Sequence, residues 1–349
     1  MFASDATDGQ VQLNRNAWWE ALRAELVHLG AFSVGVADVG EVCESNEWHE
    51  ITIRVREWVR RGEHGTMGWL ADAEGLSVRC DPRVRYPWIR TAIAAAFPYD
   101  TLPGRQDAVS LGQGVVPREV GRAKISRYAH GVDYHWHLGR ALDRARRKLE
   151  AAFGSSGLQL RSYLDTGPVL ERQWAERAGL GWLGKNSLLL HPQAGSFVFL
   201  SVWFASHSAP DHARLPRIPD RCGSCTRCID ACPTGALAHD GSGKLDARRC
   251  LSYLTIEARK DLEPDLLTDH HDGWWLGCDV CQNVCPWNRR APLSSDPAFA
   301  PLPDYENLTP EAFAQLSAEV FHSRFRHTPL WRPRLPKLQA TLGLLLRKG

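Results

Sequence analysis

The sequence predicts an α/β (α+β) domain over residues 1–215, a cysteine-rich domain over 216–290 and a short helical C-terminal region over 291–349. Two observations support this order. Helix-like and strand-like patterns alternate through the first part of the chain, and eight of the ten cysteines fall between residues 222 and 285. The C-terminal residues are basic, and their helical spacing is broken by prolines.

The elements of the first domain are placed by apolar spacing and by their bounding residues. Predicted helices cover 16–30, 133–153 and 168–178, and predicted strands cover 31–39, 92–99, 158–164, 187–190 and 196–205. The helix at 133–153 carries Leu138, Leu142, Ala145 and Leu149 on one face. Arginines on its other face are typical of a solvated surface, and a contact with nucleic acid is the alternative.

Composition narrows the class of protein. A chain that is 44% hydrophobic and 23% charged is typical of a globular protein, and a net charge of +2 gives no general attraction to polyanions. No apolar run reaches the roughly 18 residues that a membrane helix needs, and the N-terminus has no secretory pattern. We therefore expect a cytoplasmic protein without a membrane partner, whose clustered cysteines serve metal or redox chemistry.

The stretch 179–185 matches both G-x-G-x-x-G and G-x-x-x-x-G-K, two patterns known from nucleotide sites. Those patterns bind phosphate where the glycines follow a strand and begin a helix. Here they follow the predicted helix at 168–178, where a C-cap belongs, and Asn186 stands where a P-loop has Ser or Thr. The sequence predicts no nucleotide site in this stretch.

The first cysteine group has the C-x2-C-x2-C-x3-C-P spacing that bacterial ferredoxins use for [4Fe–4S] clusters. Its members are Cys222, Cys225, Cys228 and Cys232, followed by Pro233. The second group is the same run without its first member, and Cys250 can supply the missing thiolate.

In two-cluster ferredoxins, the fourth cysteine of each run binds the other cluster. This rule predicts one [4Fe–4S] cluster on Cys222, Cys225, Cys228 and Cys285, and a second on Cys232, Cys250, Cys278 and Cys281. Zinc sites are the alternative, although they need neither the third cysteine nor the proline. Cys43 and Cys80 lie outside both groups, and we expect them to be incidental thiols.

Five segments resemble the epoxyqueuosine reductase family and occur in the family's order. They are 126–135, 164–200, 222–237, 245–257 and 277–288. The resemblance implies an oxidoreductase that reduces epoxyqueuosine to queuosine at the wobble position of tRNA, the last step of queuosine synthesis. It also implies cobalamin and two [4Fe–4S] clusters, a cobalamin-binding domain related to reductive dehalogenases, and an external low-potential electron donor. We expect a monomer.

Within this resemblance, Asp165 matches the family's proton donor. A positioned acid is needed because the oxygen of an opened epoxide must be protonated to leave as water. Burial against the corrin predicts a raised pKa for Asp165. The alternative is a capping role before the helix at 168–178, whose dipole would favour the carboxylate.

The resemblance also implies cobalamin contacts at Asp165, Arg79, Ser126, Leu200 and Ser252. It implies cobalamin without a histidine ligand, so His135 and His137 are expected to be ordinary polar or packing residues. The glycine loop at 179–185 is expected to form a wall of the corrin or substrate pocket, with Lys185 near phosphate or ring substituents.

The basic tail is expected to contribute phosphate contacts to tRNA. The candidates are Arg324, Arg326, Arg332, Arg334 and Lys337. Pro333 and Pro336 are expected to interrupt helical continuity, and a solvated basic tail is the alternative.

Two other functions fit part of this pattern. One is a reductase of the same architecture that acts on a small molecule, as in reductive dehalogenation, and the other is a ferredoxin-type electron carrier without catalysis. The segment 164–200 favours the tRNA-modifying enzyme over the first, and the large α/β portion argues against the second.

Overall fold

A computed structural model describes residues 5–101, 119–120, 123–259, 267, 269, 273–302 and 309–346. Its strands are β1 (Ser33–Asp38), β2 (Thr91–Pro98), β3 (Glu119–Val120), β4 (Ala123–Ile125), β5 (Leu160–Leu164), β6 (Trp182–Leu183), β7 (Leu189–Leu190), β8 (Val198–Ala205) and β9 (Trp274–Leu276). Its α-helices are α1 (Asp5–His28), α2 (Val39–Cys43), α3 (Asn46–Arg60), α4 (Ala73–Cys80), α5 (Tyr134–Phe153), α6 (Glu171–Arg177), α7 (Arg227–Asp230), α8 (Leu251–Ile256), α9 (Val280–Asn283), α10 (Pro310–Ala314), α11 (Ala318–Phe325) and α12 (Leu335–Leu346).

The central sheet has the strand order β1-β2-β8-β5, and every neighbouring pair is antiparallel. Helices cover both of its faces. Helices α1 and α5 pack against one face through residues such as Trp18 and Leu138. Helices α3 and α6 pack on the other through Trp48 and Trp174. Because both faces are covered, β2 is buried along almost its whole length, which explains its continuous apolar sequence.

The end of α6 approaches β1 closely, and this contact requires a glycine. A Cβ atom on Gly35 would lie 2.1 Å from the carbonyl oxygen of Ala178. The helix ends in a Schellman motif, in which Leu180 N–H donates to the Ala175 carbonyl and Gly179 has φ +80°. The glycine pattern at 179–185 therefore begins as a helix C-cap, as predicted.

Two predicted elements are shorter than the sequence indicated. Helix α6 begins at Glu171, and Pro168 lies outside it, so Asp165 does not cap this helix. The predicted strand at 187–190 is reduced to Leu189–Leu190, which pairs with β6 in a two-stranded sheet. The predicted helices at 16–30 and 133–153 are confirmed in α1 and α5.

A second sheet joins distant parts of the chain. Strand β9 lies parallel to β4, with Ile125 opposite Leu276. Residues from both strands share a core with the C-terminal helices, including Phe325 and Leu338. This core crosses the predicted boundaries at 215 and 290, so the division into three domains stays a prediction.

The C-terminal region is helical, as predicted, but Pro336 does not interrupt it. Pro336 lies in the first turn of α12, where its missing N–H removes no intrahelical hydrogen bond. In the described part of the chain, no helix is both long enough and apolar enough to cross a bilayer.

Candidate active site and cluster-binding cysteines

Asp165 lies in a tight turn directly after β5. Its φ of +61° is in the left-handed region, which few non-glycine residues adopt. Thr166 N–H donates to the Leu164 carbonyl at 2.6 Å, and a Cβ atom on Gly167 would lie 2.2 Å from the ring of Tyr163. The turn therefore depends on a glycine and holds the carboxyl of Asp165 away from the strand.

The first turn of α5 supplies two partners for this carboxyl. Tyr134 Oη donates to Asp165 Oδ2 at 2.7 Å, and His135 Nε2 lies 3.1 Å from the same oxygen. Asp133 caps the helix and also lies 2.8 Å from His135 Nδ1. His135 is thus held between two carboxylates, one on each ring nitrogen.

These contacts determine the protonation of His135 and Asp165. Burial lowers the pKa of His135, but the hydrogen bonds and charges of Asp133 and Asp165 outweigh it and raise the pKa to about 9. Burial raises the pKa of Asp165, but hydrogen bonds from His135 and Tyr134 outweigh it and leave the pKa below its ordinary value. The protein's own contacts thus favour the proton on His135 at neutral pH, and the raised pKa that burial against the corrin would give Asp165 stays a prediction.

Asp165 lies close enough to a second carboxyl, that of Glu171, for their charges to interact. The Asp165 side chain is 64% exposed, yet desolvation is the largest influence on its pKa, so protein surrounds it on several sides. Burial raises the pKa of nearby Glu171 to about 8, and Asp165 adds to this effect. Glu171 Oε1 is buried without a hydrogen-bond partner among the described residues. An unsatisfied buried polar atom beside an accessible carboxyl is consistent with a site for a large polar cofactor.

The other predicted cobalamin contacts have different surroundings. Arg79 is buried in α4, donates to the Trp69 carbonyl and lies close enough to Glu171 for their charges to interact. Ser126 is buried and donates to Asp279 Oδ1 at 2.6 Å, which connects it to the second cysteine group. Leu200 lies on β8 and packs against the core between the sheet and α6. Ser252 is half-buried on α8, two residues after Cys250. Their roles in binding cobalamin stay predictions.

The first predicted cysteine quartet lines one open recess. This quartet consists of Cys222, Cys225, Cys228 and Cys285. Burial raises the pKa of Cys285 to about 11, and the charges of the other three thiols add to this shift. The structure therefore brings the last cysteine of the second group to the first group.

The second predicted quartet is enclosed by apolar side chains. Cys250 and Cys278 pack against the core that contains Leu251 and Trp274. Burial raises the pKa of Cys281 well above its ordinary value, and the charges of Cys278, Cys250 and Cys232 act in the same direction. The four thiols of each quartet are thus neighbours in the arrangement that the sequence predicts.

The thiols of each quartet are not grouped tightly around one point. No three His, Cys, Asp or Glu side chains in the described ranges are close enough together to coordinate one metal ion. A cubane presents its four irons at separate corners, so its thiolate ligands lie farther apart than those of one zinc ion. The remaining thiols, Cys43 and Cys80, are free, and burial raises the pKa of each, which makes both unreactive.

The end of the glycine loop lies beside the first quartet, and its expected role as a wall of the corrin or substrate pocket stays a prediction. A Cβ atom on Gly181 would lie 2.1 Å from the Leu190 carbonyl, so this glycine allows β6 and β7 to pack together. Lys185 Nζ donates to the Gly223 carbonyl at 2.6 Å and lines the recess beside Cys222.

Comparison with known proteins identifies the family. A family model described as "Epoxyqueuosine reductase QueG, DUF1730" matches residues 79–166, and one described as "4Fe-4S double cluster binding domain" matches 221–288. The epoxyqueuosine reductase of Gloeobacter violaceus is 38% identical over 301 residues, which cover 84% of each chain. The chain belongs to the epoxyqueuosine reductase family. As a member, it is an oxidoreductase with a 4Fe–4S cluster-binding domain.

Solved epoxyqueuosine reductases have the same fold. One, in complex with an epoxyqueuosine-modified tRNA-Tyr stem loop, matches with a TM-score of 0.76 and 27% identity, over 94% of this chain and 80% of that one. The Bacillus subtilis enzyme, with its catalytic aspartate loop swung out of the active site, matches with a TM-score of 0.73 at 27% identity, over 94% and 80% of the two chains. These matches confirm the predicted fold class.

Three residues near Asp165 are not among the sequence-predicted site residues. Tyr134 and His135 hydrogen-bond its carboxyl, and Glu171 interacts with its charge. A signal was available for the first two, because Asp133 has the residue type of a helix N-cap. The residues after a cap lie in the first turn, where side chains point back toward the helix N-terminus.

The basic tail divides into inward-facing and exposed residues. Lys337 Nζ donates to the Ala258 carbonyl, and burial lowers its pKa to about 8. Arg332 forms an ion pair with Glu257 at 3.0 Å. Its positive charge also lowers the pKa of Asp165, although burial and the interactions with His135 and Tyr134 have larger effects. Arg334 is exposed and lies over the ring of Trp331, at 4.3 Å from the ring centroid. The predicted phosphate contact at Lys337 is therefore wrong, because its amine is engaged inside the protein.

Proposed function

We propose that this chain reduces epoxyqueuosine to queuosine at the wobble position of tRNA, as the last step of queuosine synthesis. The observation that carries the proposal is the exposed carboxyl of Asp165, held at 3.1 Å from a protonated His135 in a chain of this family. The catalytic aspartate loop of the Bacillus subtilis relative supports the same role for the turn at Asp165.

The reaction consumes two electrons and two protons. One C–O bond of the epoxide breaks, the remaining C–O bond breaks as the carbon–carbon double bond forms, and the oxygen leaves as water. Cobalamin and two [4Fe–4S] clusters, when bound, supply the low-potential electrons. The cysteine quartets defined above would hold the clusters. Asp165, Arg79 and Glu171 would face cobalamin.

The chain's own residues supply protons. His135 carries its proton at neutral pH because its pKa is about 9, and Nε2 directs that proton to Asp165 Oδ2. Tyr134 fixes the same oxygen through its hydroxyl. A proton passes from His135 through Asp165 to the leaving oxygen; Asp133 stabilises the imidazolium before the transfer and the neutral Nδ1–H form after it. The accessible side of Asp165 is where the modified base would enter.

Arg332 favours a polyanionic substrate over a small molecule. Its exposed guanidinium lies within electrostatic reach of Asp165, so a phosphate next to the modified base could bind there. We propose that Arg326, Arg332 and Arg334 contact the tRNA backbone, and that the enzyme acts as a cytoplasmic monomer served by an external electron donor.

The test is anaerobic reconstitution with clusters and cobalamin, followed by nucleoside analysis of epoxyqueuosine-containing tRNA. We expect conversion to queuosine, and an absence of conversion by fully loaded protein would reject the substrate. Asp165→Ala should take up cobalamin normally, as its visible spectrum reports, and lose about 10²–10⁴-fold in turnover. Near-normal turnover of this variant would remove Asp165 from the proton path.

A further inference from the structure

We propose that an acidic one-electron carrier protein docks on the outer recess, where Arg221, Arg227 and Lys185 surround the first cysteine quartet. This inference rests on the proposed function only in requiring an external donor. The donor gives one electron to the oxidised cluster in each encounter, so the donor is oxidised and the cluster reduced by one electron without proton transfer.

The two quartets differ in their distance from solvent. In the first, the loop that carries Cys222 and Cys225 exposes Gly223, Ser224 and Thr226. The second is packed against apolar core residues, as described above. A docked protein would therefore approach the first quartet more closely than the second.

The second quartet lies on the side of the proposed active site. Asp279 follows Cys278 and accepts a hydrogen bond from Ser126 and another from the Arg127 N–H. Tyr128 lies in the same segment as Ser126 and Arg127. Burial raises its pKa most, and the charges of Asp165 and Asp279 raise it further. The first quartet is thus the outer end of this arrangement, and electrons from outside would enter there.

The residues around the recess have the charge that an acidic partner requires. Three cations line it, Lys185, Arg221 and Arg227, and no carboxylate does among the described residues. Two carboxylates of the same loops lie outside the lining: Asp220 accepts from Cys222 N–H, and Asp230 accepts from Thr226 Oγ1.

The recess also has an apolar part. Pro286 is exposed, and Trp287 is half-buried against Trp182, with 4.8 Å between ring centroids. A small apolar contact surrounded by charges suits a weak, short-lived complex between electron-transfer proteins. In such a complex, complementary charge raises the association rate more than the affinity.

The three cations have an alternative role in tuning the cluster itself, and the experiment must distinguish that role from docking. Positive charge beside a negatively charged cluster would ease its reduction by any donor. Docking, in contrast, predicts an effect that depends on the donor's charge and on salt.

The experiment compares two double variants of the cluster-loaded protein with equal changes in net charge. The rim variant is Arg221→Glu with Arg227→Glu. The control is Arg54→Glu with Arg144→Glu, at exposed positions on α3 and α5. The donors are a reduced flavodoxin, as an acidic carrier, and photoreduced 5-deazariboflavin, as an uncharged one. Bleaching of iron–sulfur absorption gives the reduction rate in stopped flow, and titration with oxidised flavodoxin gives the binding constant.

We expect the rim variant to lose about tenfold or more in association rate with flavodoxin at 50 mM salt, with most of the difference gone at 500 mM. Its rate with 5-deazariboflavin should match wild type, and the control should match wild type with both donors. Equal behaviour of rim and control variants, or equal slowing with both donors, would overturn the proposal. If the rim variant loses iron, the milder pair Arg221→Gln with Arg227→Gln replaces it, with an expected loss of a few-fold. None of these readouts depends on epoxyqueuosine, so a wrong substrate would leave them unchanged.

Discussion

Asp165 combines a strained backbone with a carboxyl whose hydrogen bonds meet at one oxygen. A left-handed conformation costs a non-glycine residue about 1 kcal/mol or more, and surrounding contacts must offset that cost. Here the hydrogen bonds from Tyr134 and His135 meet at one oxygen, Oδ2. These two hydrogen bonds leave the other oxygen, Oδ1, available to a substrate.

The raised pKa of His135 gives turnover a predictable dependence on pH. His135 is protonated below its pKa of about 9 and loses the proton as pH rises through that value. Single-turnover conversion should therefore be constant near neutral pH and decline above about pH 9. His135→Gln cannot carry the proton, and we expect it to lose about 10²-fold in rate together with the alkaline decline.

His137 provides the matched control on the same helix. Its Nε2 lies 2.8 Å from Asp296 Oδ2, away from Asp165. His137→Gln should keep both the rate and the alkaline decline. A His135→Gln enzyme with the wild-type rate and pH profile would show that the histidine only packs.

The identity of Asp165 could be predicted from the sequence, but its protonation could not. Motif resemblance indicates which carboxyl acts, because it depends on local residue order. The pKa depends on His135 and Tyr134, which precede Asp165 by about 30 residues and reach it only through the packing of α5 on β5. Similarly, Lys337 was indistinguishable from a surface lysine until α12 was placed against Ala258.

Among the elements, the two cysteine loops each place one thiol beside the other loop's quartet. The short helices α7 and α9 carry the two runs and pack next to each other. This contact brings Cys285 to Cys222, and Cys232 to Cys278. The exchange was predictable because ferredoxin spacing fixes it. The position of the glycine loop was not predictable, because it depends on the contact of Gly181 with Leu190 and on the hydrogen bond from Lys185 to Gly223.

The exchange predicts the iron content of paired substitutions. Cys222→Ser with Cys285→Ser removes two ligands of the same quartet, so one cluster and about four irons per chain should remain. Cys222→Ser with Cys232→Ser removes one ligand from each quartet, although both belong to one sequence run, and should lower the iron content further. Iron and sulfide analysis after anaerobic reconstitution measures both. The reverse order of iron content would contradict the assignment.

Across the whole molecule, the C-terminal helices connect the tail to the active site. They share a core with β4 and β9, and this core places Arg332 near Asp165. The three predicted domains are therefore useful as sequence segments, while their packing is continuous. Boundaries drawn from composition could not reveal this, because β4 and β9 are short and their pairing is distant in sequence.

The placement of the tail predicts which basic residues contact tRNA. Arg334→Gln should weaken stem-loop binding several-fold and reduce the slope of log Kd against log salt by about one, because it removes one phosphate contact. Lys337→Gln should leave that slope unchanged, because the amine points into the protein. Fluorescence anisotropy with a labelled stem loop between 50 and 200 mM salt measures both. Equal slope changes in the two variants would contradict this division.

The parallel pairing of β4 with β9 also has a consequence for biosynthesis on the ribosome. Strands β1, β2, β5 and β8 are complete once residue 205 has been synthesised. Leu276, the neighbour of Ile125, is synthesised about 150 residues after it. At translation speeds of roughly 5–20 residues per second, that delay lasts about 8–30 s. During this interval the nascent chain displays an uncovered strand edge, which a chaperone such as a ribosome-associated holdase would shield until the last helices arrive.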